Sequence, residues 1–152
     1  MGNKKKQRPH HTPPDRKSKV VPSSAVPPGV HNSGERLCWR FKHVDHDSRW
    51  RFDEGMSEQW RELMTKMAHC ESMTVHELRN SSRFFKEYDL PSGLLQEALD
   101  RLTTLRLDEM TKIQRFEFTG TQRLYGFLHD NVFHVIWWDP HHEIFPSKLK
   151  NT

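Results

Sequence analysis

The residues best suited to chemistry lie in the last third of the chain. Arg115 and Glu117 stand two apart, as do Arg123 and Tyr125, and His134 follows in the next apolar run. In an extended strand, residues two apart share a face. These five residues suit metal-independent RNA cleavage. That reaction needs a base for the 2′-hydroxyl proton, an acid for the leaving oxygen, and cations for the charge that builds on phosphorus. Glu117 or His134 would be the base, and Tyr125 or His134 the acid. Arg115 and Arg123 would hold the phosphate, to which a planar guanidinium offers paired donors. Phe127 and Trp138 would stack a base, as recognition of single-stranded RNA requires. His141, just past the last run, joins them as a nucleic-acid contact. Glu117 opposite Arg123 is also an ordinary cross-strand ion pair, worth roughly 0.2–1 kcal/mol.

Three strands would position these residues. The runs Ile113 to Phe118, Gln122 to His129 and Val132 to Trp138 read as an antiparallel meander. Thr119-Gly120-Thr121 suits a three-residue turn, and Asp130-Asn131 a two-residue type I′ turn. The turns set the register. Phe116 falls opposite Leu124, Leu128 opposite Phe133, Gly126 opposite Val135, and Leu124 opposite Trp137. One face then gathers Phe116, Leu124, Leu128, Phe133, Val135 and Trp137 as core. The other gathers the five chemical residues with Phe127, Ile136 and Trp138. In a sheet covered by helices on one side, that second face is expected to meet water. An exposed cationic and aromatic face of this kind marks a binding surface.

Upstream, Leu37 to His43 alternates as a first strand, with Leu37, Trp39 and Phe41 facing inward. Ser57 is a plausible N-cap for a helix reaching about His69, with Trp60, Leu63, Met64 and Met67 at helical spacing. Thr74 and Glu77 fit a capping box. The short helix they start breaks at Asn80-Ser81-Ser82. Beyond Pro91, Leu94, Leu95, Ala98, Leu99 and Leu102 define another helix to about Leu105. The expected class is α+β, with helices packed on one face of an antiparallel sheet. Residues 36–148 form its single domain.

Residues 1–35 differ in kind. The first 34 hold seven Lys or Arg against Asp15, six of the nine prolines, and none of the aromatics. The chain as a whole is +4 and this stretch is +6, so the rest is −2. Too little apolar surface is present to offset the entropy of ordering, and a disordered basic, Pro-rich tail is expected. Lys4, Lys5, Lys6 and Arg8 would bind nucleic acid by counterion release. The same composition also suits a solubilising leader.

Other chemistry finds less support. No run approaches the roughly 18 apolar residues of a membrane span, and no apolar stretch follows the basic N-terminus as a secretory signal requires. Cys38 and Cys70 suit a reducing cytoplasm. GxGxxG, P-loop and GxSxG patterns are absent, which argues against dinucleotide, P-loop nucleotide and α/β-hydrolase chemistry. His43-Val44-Asp45-His46-Asp47 and His141-His142-Glu143 are rich in ligand types but match no metal-site spacing. No metal or cofactor is assigned. Asp139-Pro140 reads as the end of a strand, since proline cannot donate to the ladder.

The stretch from Arg123 through Tyr125-Gly126-Phe127 and Asn131-Val132-Phe133-His134 to Trp137-Trp138-Asp139-Pro140-His141-His142-Glu143 resembles the closing segment of a group of short proteins from actinobacteria, their phages and mobile elements. The resemblance reaches upstream through Glu71 to Leu78 and covers most of 36–147. That group brings no activity with it. In topology, a strand, helices and then a meander is similar to the RelE/ParE toxin superfamily. This second resemblance implies a RelE-like endoribonuclease toxin using Arg, His, Glu and Tyr on the open sheet face. Its implied partners are RNA or the ribosome and a small antitoxin. The alternative is a non-catalytic accessory protein of a phage or mobile element, docking a protein partner through its aromatic sheet face.

Overall fold

The computed structural model describes residues 34–53, 56–81 and 83–146. Lys4, Lys5, Lys6, Arg8 and the rest of the basic stretch up to residue 33 lie outside them. The elements are β1 (Cys38–Arg40), α1 (Ser57–Cys70), α2 (Val75–Asn80), β2 (Phe85–Asp89), α3 (Gln96–Thr104), β3 (Lys112–Glu117), β4 (Arg123–His129) and β5 (Val132–Asp139). They build one five-stranded sheet in the order β1-β5-β4-β3-β2. The class is α+β. No helix among the described residues is long and apolar enough to cross a membrane.

The sheet is mixed, where sequence reasoning expects it antiparallel. β1 runs parallel to β5, with Trp39 beside Phe133 and Arg40 beside His134. A parallel pair needs a long connection, and here all the intervening helices and strands supply it. The Asn131 hairpin tip pins β1 in place. Its carbonyl accepts from the Cys38 N–H at 2.9 Å, and its side-chain amide donates to the Arg36 carbonyl at 2.9 Å. Phe41, expected in the core, lies past the end of this short strand and is 45% exposed. β2 is an edge strand that the sequence hides, because Lys86, Glu87 and Asp89 break its apolar pattern. Charges on an edge also discourage pairing with other chains.

The hairpin registers follow the turns as far as Gly126. Leu128 pairs with Phe133 and Gly126 with Val135. Then the ladder slips, and Leu124 pairs with Trp138, not Trp137. Ile136 is the extra residue of a β-bulge, which lets one strand carry two residues opposite one. Gly126 is required at this point. A Cβ there would lie 2.0 Å from the His134 carbonyl oxygen. The bulge exchanges the tryptophans: Trp138 joins the core expected of Trp137, and Trp137 moves to the opposite face.

Helices cover both faces, which corrects the one-sided expectation. On the first, Leu63, Met67 and Cys70 of α1 and Leu78 of α2 pack with Phe85, Phe116, Leu124, Phe133, Val135 and Trp138. On the second, Ala98 and Leu102 of α3 pack with Trp50, Ile113, Tyr125, Ile136, Trp137 and Ile144. Burial pushes the Cys70 thiol up to about 12, so it stays protonated. The capping box of α2 is complete: the Glu77 N–H donates to Thr74 Oγ1 at 3.2 Å and the Thr74 N–H to Glu77 Oε2 at 2.8 Å. Ser57, expected as the N-cap of α1, is its first helical residue; Met56 holds the cap position, and no side-chain cap bond forms.

Candidate functional site

The face expected to meet water is largely roofed, and the roof is held by Asp45. After β1 the chain runs along the free side of β5, where the Asp45 N–H donates to the carbonyl of the bulged Ile136 at 3.0 Å. The Asp45 carboxylate is fully buried. It accepts two bonds from Arg101 of α3, at 2.9 and 2.6 Å, and one from Trp137 Nε1 at 2.9 Å. Burial alone would raise its pKa. The Arg101, Trp137, Asp47 and Ser48 bonds overcome that and hold the carboxyl far below its usual range. Arg49 extends the clamp. It lies 4.7 Å over the Trp50 ring and pairs with Glu97 of α3 and with Glu143. The bulge thus delivers Trp137 to a buried acid in the loop after β1.

The roof leaves the face open at two ends. At the first, a cleft of about 700 Å³ is lined by Lys86 and Tyr88 of β2, Arg115 of β3, the Ser92-Gly93 turn, and His142, Phe145 and Pro146. Tyr88 and Phe145 stack with ring centres 4.1 Å apart. Gly93, at φ +80°, passes so close to Phe145 that a Cβ would lie 2.5 Å from the ring. Asp139 builds the far wall. Its buried carboxylate accepts from the Glu143 and Ile144 N–H groups at 3.0 and 2.9 Å. That turn holds His142 at φ 57° and brings it to the cleft. So Asp139 does end the strand, and the imidazole it presents is His142. His141, singled out from sequence, is exposed and lines no part of the cleft.

Four of the five expected chemical residues gather beside this cleft. Arg115 donates from Nε to the Tyr88 hydroxyl at 2.7 Å and from Nη1 to Glu117 at 3.1 Å. The same Glu117 oxygen lies 3.4 Å from Arg123 Nη2. Both arginines are buried, at 5% and 4% exposure. Arg123 spends its guanidinium on the β3–β4 turn, donating to the carbonyls of Thr119, Gly120 and Gln122. Its Nε and the Tyr125 hydroxyl are buried without an acceptor. Burial raises the Tyr125 pKa, against its use as a proton donor near neutrality. Burial, then repulsion from Arg115, lowers that of Arg123. His142 is held toward its neutral form by burial and by the nearby Arg123 and Arg115.

The fifth residue, His134, sits at the other open end. Its ring stacks on Phe127 at 4.5 Å with 3° between planes, and His43 leans on both at 5.6 Å. Burial, then neighbouring positive groups, favours the neutral form of each imidazole. Trp138, expected to stack bases, is buried against the first helical layer because of the bulge. The histidine-rich segments do not meet: among the described residues, no three His, Cys, Asp or Glu side chains converge as metal ligands.

No protein-family model matches this chain, and no curated protein or solved structure matches it either.

Proposed function

We propose that the protein binds single-stranded RNA, holding a phosphate in the cleft between β2, β3 and the His142 turn. The carrying observation is a charge imbalance at a concave site. Three cations, Arg115, Arg123 and Lys86, stand against two carboxylates, Glu117 and the buried Asp139, and Lys86 makes no ion pair among the described residues. A backbone phosphate supplies the missing negative charge. The cleft takes a single strand and its aromatic wall suits a base. On this reading the cleavage expected of a RelE-like toxin centres on His142. Its neutral imidazole takes the 2′-hydroxyl proton, the 2′-oxygen attacks phosphorus to form a 2′,3′-cyclic phosphate, Lys86 and Arg115 stabilise the phosphorane, and the departing 5′-oxygen takes its proton from water. The setting is the cytoplasm, with RNA or the ribosome as substrate and a small antitoxin as partner.

Fluorescence anisotropy of a labelled single-stranded RNA against the full chain tests this. Wild type should bind with affinity that falls as salt rises. Lys86→Ala should weaken binding and flatten the log–log salt slope by about 0.7, the share of one phosphate contact. His142→Ala should abolish cleavage in the presence of a chelator while binding survives. An unbound RNA at low salt, or a Lys86→Ala variant with an unchanged slope, refutes the assignment.

One observation favours the rival reading of a non-catalytic accessory protein. Trp60 and Met64, one turn apart on α1, are 45% and 42% exposed, and Phe52 stands edge-on to Trp60 at 6.2 Å. An apolar strip of this kind fits a protein partner.

A further inference from the structure

The second open end of the face has a different character from the cleft, and its features point to one ligand chemistry. Phe127 and His134 form a parallel two-ring stack, and both rings are part-exposed. His43 buttresses the stack from the loop after β1. Two cationic side chains lie beside the imidazoles: Arg40 of β1 and Lys42 of the loop. Asp130, at the hairpin tip, lies 3.8 Å from His129. A flat aromatic surface flanked by two cations lacks the apolar groove that a lipid chain needs. It suits a nucleobase, which extends a ring stack and carries its own phosphate.

We infer that Phe127, His134 and His43 form a base-stacking platform for single-stranded RNA, separate from the phosphate cleft, with Arg40 and Lys42 engaging the adjoining backbone. The inference rests on the RNA-binding reading above. Arg123 and Phe127 are four residues apart on β4, about 13 Å in a strand. Between them the face lies under α3 and the loop that carries Trp50. The two ends are therefore distinct contacts on one strand of RNA. The cleft reads charge, and the platform reads the presence of a base.

The test compares a labelled single-stranded RNA with an abasic strand of the same length, using the full chain. Wild type should bind the normal strand more tightly. Phe127→Ala should weaken the normal strand at least about fivefold and leave the abasic strand unchanged, so that the preference disappears. Phe127→Leu, which keeps apolar volume but removes the ring, should do the same and guards against a folding defect. Lys86→Ala should weaken both strands equally. If wild type binds both strands alike, or if the Phe127 variants keep the preference, the platform is refuted while the cleft stands. If neither strand binds, both readings fall. A protein bound at this end in place of RNA would leave the strand preference untouched by Phe127, which also overturns the inference.

Discussion

Replacing Asp45 by Asn tests the logic of the roof. The carboxylate has no solvent exposure and receives side-chain bonds from Arg101, which gives two, and from Trp137. Asn keeps the size but loses the charge, and one of its two terminal atoms becomes a donor facing a guanidinium. Removing one partner of a buried ion pair costs about 3–5 kcal/mol. Arg101 retains 21% exposure and can turn toward water, so the lower end applies, about 3 kcal/mol. For a folded region of this size that lowers Tm by roughly 10–15 °C. The carboxyl also leaves an acid signature. Its folded pKa lies well below the ordinary 3.8, so the pair contributes full stability above about pH 4 and loses it as pH falls further. Urea denaturation from pH 7 to pH 2 should show wild type losing this increment below pH 4, with Asp45→Asn already lacking it at pH 7. A double variant with Arg101→Met should cost less than the two single changes together. If Asp45→Asn costs under about 1 kcal/mol, or if its acid profile parallels wild type, the roof is not held as described.

Gly126→Ala should cost about 3 kcal/mol or more, because the added methyl meets backbone and not a movable side chain; a urea midpoint near wild type would displace the bulge from this position. His43 and His134 have folded pKa values below the ordinary 6.5, so the folded state binds fewer protons there. Their contribution should be present above about pH 6.5 and fall as the medium becomes more acidic. A His43→Asn, His134→Asn double variant should show a smaller stability loss between pH 7.5 and 5.5 than wild type, read by thermal melts at each pH; equal losses would place the titration elsewhere.

How much of this was legible in sequence depends on which interactions fix each element. Turn chemistry and alternation are local, and they place β3, β4 and β5 and their register up to Gly126. The α2 capping box is likewise a four-residue pattern, and both of its bonds form. The bulge is another matter. It arises because Trp137 has a buried carboxylate to reach 92 residues away, and no window on the last strand contains Asp45. From that slip follow the exchange of Trp137 and Trp138 and the burial of Ile136. The roof depends on the same distant contact, so alternation alone reads a covered face as a wet one. β2 is lost because an edge strand needs no apolar alternation. His142 was readable in part: Asp139 and its turn signal that the chain folds back. Which of two adjacent histidines points inward depends on a backbone angle of 57°, and composition does not carry that.

The roof also changes what the arginines can mean. Alternation on an open face makes Arg115 and Arg123 equal partners for a phosphate. Their bonds in the structure divide the roles. Arg123 holds three carbonyls of the β3–β4 turn, and replacing it would leave those carbonyls without their donor and Glu117 with Arg115 alone, so loss of function in such a variant reports on folding. Arg115 lines the cleft, yet two of its donors are committed to Tyr88 and Glu117. Among the described residues Lys86 has no such commitments, and it stands on an edge strand whose neighbours need not move if it changes. His142 is held by Asp139 through backbone amides, so truncating its ring leaves the turn intact. On the proposed reading, the side chains that would report on binding are therefore the two that the sequence pattern did not select. The two it assigned to phosphate hold Glu117, Tyr88 and the β3–β4 turn.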